Sequence, residues 1–190
     1  MENNKLFLPI ILGTVRQGRE SEKVAKLVLA EVQKRPDIDT VFFDPRELNL
    51  PPDDEGESLQ QYNQEFIQAL VKSDGIIIVS PEYNHGYPST LKKVLDMINL
   101  VQMRHKPVGL VGVSDGPFGG VRLASAIQPV IRTLGMISIK EQVNFSNVDK
   151  VFDADRNLLE PKYIKRIGEF LNGLVWMANA LRVARMKDKQ

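Results

Sequence analysis

Gly75-Ile76-Ile77-Ile78-Val79-Ser80-Pro81-Glu82-Tyr83-Asn84-His85-Gly86-Tyr87-Pro88-Ser89 is the stretch whose reading decides the fold. It opens with a nearly unbroken Ile/Val run, the pattern of a strand covered on both faces. Two prolines, two tyrosines and a glycine then make a stiff, partly aromatic turn. Behind it Leu91, Val94, Leu95 and Ile98 form a helical stripe with Ser89 as candidate N-cap. A buried strand that runs through a turn into a helix is the repeating unit of a parallel sheet.

The same unit recurs on both sides. Pro9–Gly13, Thr40–Asp44, Val108–Ser114 and Ser138–Phe145 read as further strands. Pro9 lacks an N–H, so the first strand is expected to start there. Val24, Leu27, Val28 and Val32 form a stripe after Ser21, a candidate N-cap. Leu59, Tyr62, Phe66 and Leu70 follow a capping box at Ser58 and Gln61. Leu123, Ile127, Ile131 and Leu134 end at Gly135 as the C′ residue, with Pro129 expected to kink that helix. The last helix is expected from about Pro161 to near Leu181, with a frayed, charged tail over Arg182–Gln190 and a polar loop over Pro51–Glu57. Five strands alternating with five helices predict an α/β fold, a doubly wound five-stranded parallel sheet in three α/β/α layers, as one domain over residues 1–190.

Composition narrows the function. The 190 residues are 43% hydrophobic and 26% charged, which excludes a disordered or fibrous chain. A net charge of +1 gives no reason to expect nucleic acid as partner. With no cysteine and only His85 and His105, a disulfide scaffold, a thiolate nucleophile and a Cys-ligated metal are excluded, and no metal site is expected. No apolar run is long enough to span a bilayer. The Leu6–Leu12 run lacks a cleavage site, so a cytoplasmic protein is expected.

In an open parallel sheet the ligand sits beyond the carboxyl ends of the strands where strand order reverses. Three loops lie there. Gly13-Thr14-Val15-Arg16-Gln17-Gly18-Arg19-Glu20-Ser21 leads into a helix N-terminus, which favours an anion; Thr14 and Ser21 offer hydroxyls, and Arg16 and Arg19 offer charge. Gly13 and Gly18 are expected to let backbone approach the ligand. The loop has Walker-like glycine spacing, but Arg19 and Glu20 stand where Lys and a magnesium-holding hydroxyl are required, so a phosphate monoester suits it better. The 81–88 loop either offers a flat wall to a planar ring or is a tight turn with packed tyrosines. His85 alone reads more readily as a structural loop histidine than as a general acid. Gly112-Val113-Ser114-Asp115-Gly116 matches the nucleophile elbow G-x-S-x-G, yet no histidine follows Ser114, so a hydrolase triad in that chain order cannot be completed.

Taken together, Pro81-Glu82-Tyr83-Asn84 with Pro88, Leu91, Lys92 and Asp96, Gly13-Thr-x-Arg-x-Gly-Arg19, and Ser114-x-Gly-x-Phe-Gly-Gly-x-Arg122 resemble the NADPH-dependent FMN reductase family over roughly Pro9 to Trp176. Its members include quinone, azo-compound and chromate reductases. Thr14 for Ser, Arg19 and Glu20 for Ser and Phe, Ser89 for Gly and Lys93 for Asn depart from the family's frequent residues.

The resemblance implies a flavodoxin-like fold of strand order 2-1-3-4-5 with FMN bound at the switch. It implies that Thr14, Arg16, Gln17, Arg19 and Ser21 hold the FMN phosphate. Pro81, Glu82, Tyr83 and Asn84 would line the isoalloxazine, and Ser114 and Gly116 would border it. It further implies NADPH or NADH as hydride donor, a small acceptor such as a quinone, azo compound, flavin or chromate, and a homodimer or homotetramer. No catalytic side chain is required, because the flavin carries the hydride. The alternative is an FMN-binding electron carrier or redox sensor; carriers are usually acidic, and a +1 chain is not.

Overall fold

The computed structural model describes residues 5–51 and 56–188, so part of the polar loop expected at Pro51–Glu57 and the last two residues of the expected tail lie outside the described residues. In chain order the first half contains β1 (Leu6–Phe7), β2 (Ile10–Leu12), α1 (Ser21–Gln33), β3 (Ile38–Asp39), β4 (Phe42–Phe43), a 3₁₀ helix (Gly56–Tyr62) and α2 (Gln64–Lys72). The second half contains β5 (Ile76–Pro81), α3 (Ser89–Asp96), α4 (Leu100–Met103), β6 (Pro107–Val113), α5 (Val121–Thr133), β7 (Ile137–Phe145), a 3₁₀ turn (Val148–Lys150) and α6 (Lys162–Lys187). The main sheet is parallel with order β4-β2-β5-β6-β7, the flavodoxin-like order, and helices cover both faces.

The first strand starts earlier than Pro9. Leu6 faces Ile38 and Ile10 faces Phe42, so the short pair β1–β3 and the pair β2–β4 share one register and form one ladder interrupted at the proline. Backbone bonds from Leu8 to Asp39 (2.9 Å) and from Ile10 to Val41 (2.8 Å) carry it across. Pro9 is tolerated inside because the ladder there needs its carbonyl, which accepts from Ile77 N–H at 2.9 Å.

Alternation along the strands divides the core. Ile10, Leu12, Ile77, Val79, Val111 and Val113 point to the layer of α1 and α6, where Val24, Val28, Phe170 and Leu174 close over them. Ile11, Ile76, Ile78, Val108 and Leu110 point to the other layer, beneath Phe66, Leu70, Leu91, Leu95 and Ile127. Each fully buried aliphatic side chain contributes about 1.5–3 kcal/mol.

Several helix ends differ from the sequence reading. Ser21 and Ser89 are the first helical residues, behind Glu20 and Pro88, and neither end has a side-chain cap bond. Ser58 and Gln61 fall inside the 3₁₀ helix; α2 begins after Asn63, whose amide bonds Leu59 O and Asn49 O at 3.0 Å. The 3₁₀ winding rotates the expected stripe, which leaves Tyr62 exposed. Helix α5 runs through Pro129, whose clash and missing bond fall on its exposed side, next to exposed Ser125. Gly135 follows it at φ +69°, the left-handed C′ conformation. The tail to Lys187 continues α6 rather than fraying, because Arg182 and Arg185 pair with Asp74.

Phe170 packs against β6 only because residue 109 has no side chain: a Cβ there would fall 2.4 Å from the ring. Gly109→Val is therefore expected to cost about 1–3 kcal/mol by overpacking. A urea midpoint lower than the parent's, partly restored by adding Phe170→Leu, is the outcome to look for.

Candidate cofactor site

The loops that follow β2, β5 and β6 meet at the carboxyl edge of the sheet around a cleft of about 220 Å³. Arg16, Ser21, Pro81, Glu82, Tyr83 and Ser114 among the expected residues line it, as does Arg19, with Gly18, Glu20, Val113, Asp115 and Val148 added. Thr14, Gln17, Asn84 and Gly116 do not line it.

Two glycines shape the first loop, each differently from the expectation. Gly13 serves strand packing rather than ligand approach: a Cβ would lie 2.4 Å from Ser80 Oγ on β5. Gly18, at φ +68°, supplies the left-handed turn that aims the chain into α1. In and around this turn the backbone N–H groups of Gln17, Gly18 and Glu20 have no protein acceptor among the described residues. Ser21 is 1% exposed, and its Oγ has no hydrogen-bond partner. A buried hydroxyl without a partner is costly. Asn144 Oδ1 and Tyr163 Oη share that condition, but only Ser21 lines the cleft. It stands where the α1 dipole and free N–H groups favour an anion.

Arg19 is placed otherwise than a phosphate ligand. Its side chain is 2% exposed and forms a two-pronged ion pair with Asp44, whose Oδ1 lies 3.0 Å from Nη1. Nη1 also donates to Thr14 O, and Nε reaches Glu22 at 3.4 Å. Four of the five guanidinium N–H groups are thus engaged in holding the loop. Burial opposes ionisation of Asp44, but hydrogen bonds from Arg19 and the Arg46 N–H outweigh it and hold its carboxyl below the usual value. Arg46 braces the loop from outside, donating to Val15 O (3.1 Å) and Arg16 O (2.7 Å).

The second loop is tied to the first. Thr14 Oγ1 and the Tyr83 hydroxyl lie 3.1 Å apart, Thr14 Oγ1 also accepts from Arg16 N–H, and the Arg16 guanidinium sits 5.8 Å from the Tyr83 ring centre. Tyr83 and Gly86 exchange two backbone bonds of 2.9 Å around Asn84 (φ 48°) and His85 (φ 66°). Both central residues are left-handed, the geometry of a type I′ turn, which asparagine tolerates and histidine adopts at a cost of about 1–2 kcal/mol. Asn84 and His85 stand exposed at the tip. The Glu82 carboxylate turns toward α5 and accepts from Arg122 N–H and Nη1, each at 3.1 Å, which anchors the helix N-terminus.

The third loop rests on the segment after β7. Ser114 N–H donates to Phe145 O, Val148 N–H to Ser114 O and Asn147 N–H to Gly116 O. Ser114 Oγ accepts from Gly116 N–H at 3.1 Å, so it closes a turn and has no histidine partner. Asp44, Arg46 and Val148 were missed by sequence reasoning, and Arg122 stood in a quoted motif without a role. Asp44 and Arg46 carried a usable signal, since they follow the strand expected beside the first. Val148 carried none.

Residues 8–150 match the NADPH-dependent FMN reductase family. The chain belongs to that family. The FMN-dependent NADPH-azoreductase of Staphylococcus haemolyticus (strain JCSC1435) is 26% identical over 181 residues, which covers 90% of this chain and 94% of the relative. In fold the chain is similar to the flavoenzyme NAD(P)H:(acceptor) oxidoreductase FerB from Paracoccus denitrificans, with a TM-score of 0.74, 17% identity and coverage of 92% of this chain and 98% of that one. An oxidoreductase from Corynebacterium diphtheriae gives a TM-score of 0.70 at 16% identity, covering 93% and 98%. The protein is an FMN-dependent reductase that takes its electrons from NAD(P)H. Its cleft fits the cofactor: an unpartnered hydroxyl, unbonded N–H groups and a helix N-terminus suit a phosphate, and a tyrosine-walled turn stands beside them.

Asp44→Asn leaves Arg19 buried without its counter-charge and is expected to cost about 2–3 kcal/mol at neutral pH. Because the native carboxyl is held below the ordinary 3.8, the pair's stabilisation is complete above that pH and is lost as pH falls through the lowered native value. Denaturation series at neutral pH and below about pH 4 should therefore show a flatter acid limb for Asp44→Asn than for the parent.

Proposed function

We propose that FMN sits in this cleft with its phosphate on the 14–21 segment and its ring along Pro81–Asn84 and Ser114–Gly116. NADPH or NADH is the donor, and the acceptor is a small molecule of the quinone, azo-compound, flavin or chromate type. The observation that carries the reading is the buried, unpartnered Ser21 Oγ at the N-terminus of α1. Bound FMN supplies the centre through which a hydride enters and electrons leave.

The chain's own part is to bind and to orient. Ser21 Oγ and the N–H groups of Gln17, Gly18 and Glu20 are the donors for a phosphate, with Arg16 as the cation left once Arg19 is engaged with Asp44. Thr14 acts through Tyr83, which it fixes as a wall. Gly116 acts through Ser114 and Asn147, which set the far loop. Gln17 and Asn84, both exposed, border the same edge. A rigid wall is what hydride transfer needs, since it depends on a close, aligned approach of the two rings.

Among the acceptors, azo compounds have support from the relatives named FMN-dependent NADPH-azoreductase. A homodimer or homotetramer is part of this reading, carried by the family resemblance. No helix among the described residues is long and apolar enough to cross a membrane. A cytoplasmic location remains part of this reading.

Ser21→Ala separates this reading from a packing role. Loss of one charge-assisted bond is expected to weaken FMN binding about tenfold or more, read by quenching of flavin fluorescence. Without FMN the variant should be as stable as the parent or more so, because it removes a buried hydroxyl with no partner. Unchanged FMN affinity would place the phosphate elsewhere.

A further inference from the structure

A second polar cavity, of about 830 Å³, opens between α2, the α4–β6 turn and the last turns of α6. It lies at the amino edge of the sheet, beside Asp74, which precedes β5, and Lys106, which precedes β6. It is thus at the opposite end of the strands from the cofactor cleft. Five permanent cations line it, Lys72, Arg104, Lys106, Arg182 and Arg185, against two carboxylates, Asp74 and Asp188. In a chain of net charge +1, that surplus is concentrated in one place.

Helix C-termini attract cations, and this explains part of the set. Lys106 is 7% exposed, and its Nζ donates to Leu70 O (2.6 Å) and Val71 O (2.8 Å) at the end of α2. Arg185 donates to His105 O at 2.8 Å. The rest is not explained this way. Arg182 and Arg185 share one carboxylate, at 3.7 and 3.3 Å, and Asp74 also accepts from Phe7 N–H. The Arg185 guanidinium is pushed below its usual value by burial, with Asp74 acting against the shift and Arg182 adding to it. Arg104 reaches only the His105 ring, at 3.5 Å, and neither it nor Lys72 has a carboxylate partner among the described residues. Exposed Val71, Val101 and Met186 stand at the mouth and offer an apolar surface.

We propose that this cavity binds the phosphate group of a small molecule, with Lys72, Arg104, Arg182 and Arg185 as its donors. Guanidinium groups match a phosphate in geometry and charge, and a second anion relieves the crowding of two arginines on one aspartate. The apolar mouth suits a ligand whose phosphate carries a planar or apolar body. The inference does not rest on the cofactor reading, since no residue is shared between the two cavities.

Calorimetric titration of the full chain, saturated with FMN and held at constant ionic strength, tests it with inorganic phosphate and with AMP as probes. A saturable heat is expected, about tenfold weaker in affinity in Arg104→Gln and in Lys72→Gln. Both side chains are at the surface, and the two variants should keep the parent's FMN affinity and thermal midpoint in phosphate-free buffer. Tighter binding of AMP than of phosphate would assign the apolar mouth to the ligand, and equal binding would assign the site to the phosphate alone. No saturable heat with either probe, or a heat unchanged in both variants, overturns the proposal.

Discussion

The guanidinium of Arg19, closed inside the protein against Asp44, is the contact on which the cofactor end depends. It joins the end of β4 to the first loop and holds the Thr14 carbonyl from within, while Arg46 holds Val15 and Arg16 from outside. With the loop fixed on both sides, the turn at Gly18 can leave its N–H groups and Ser21 Oγ without protein partners. A loop that carries unsatisfied donors collapses onto the nearest carbonyl unless something stiffer prevents it. The buried ion pair is that constraint, and it is expensive to break by halves.

The other loops inherit their positions from this one. Thr14 is set by the first loop and touches Tyr83, Tyr83 belongs to a left-handed turn closed by Gly86, and Glu82 beside it anchors the start of α5. The sheet therefore has two chemically different ends. At the carboxyl edge, helix N-termini and unbonded N–H groups gather around a cleft suited to an anion. At the amino edge, α2 and α6 end; Lys106 covers the last carbonyls of α2, and Arg185 of α6 reaches His105 O in the turn before β6. The parallel βα repeat produces this polarity, because every crossover helix returns antiparallel to its strand.

The sheet was legible because its first four strands are nearly continuous in Val, Ile, Leu and Phe, and burial on both faces erases the period-2 signal in a recognisable way; only the last, mixed strand departs from this. Where that reading failed, contacts distant in sequence or tertiary packing decide the outcome. Pro9 marks a break inside a ladder as readily as its start, and the choice depends on Ile38 and Asp39, far along the chain. The 3₁₀ helix before α2 uses residues that fit an α-helical stripe equally well, so only the packing at Asn63 distinguishes them. The tail after Leu181 looked like solvated charge; what orders it is Asp74, more than a hundred positions away in sequence. Within the site, residue types told which loops matter but not which side chains face the cleft. Arg16 and Arg19 are alike in sequence, and only Asp44 decides that Arg19 turns inward. Glu82 likewise lies on the expected loop while its carboxylate serves α5.

One measurement bears most directly on the central claim that this fixed loop end holds FMN for reduction by a nicotinamide donor. It is the anaerobic absorbance spectrum of the FMN-loaded protein before and after addition of NADPH. The account predicts flavin bands near ~450 nm that bleach within seconds and return when a quinone or azo acceptor is admitted. A protein that cannot be loaded with FMN, or whose bound flavin stays oxidised in excess NADPH and NADH, would contradict it.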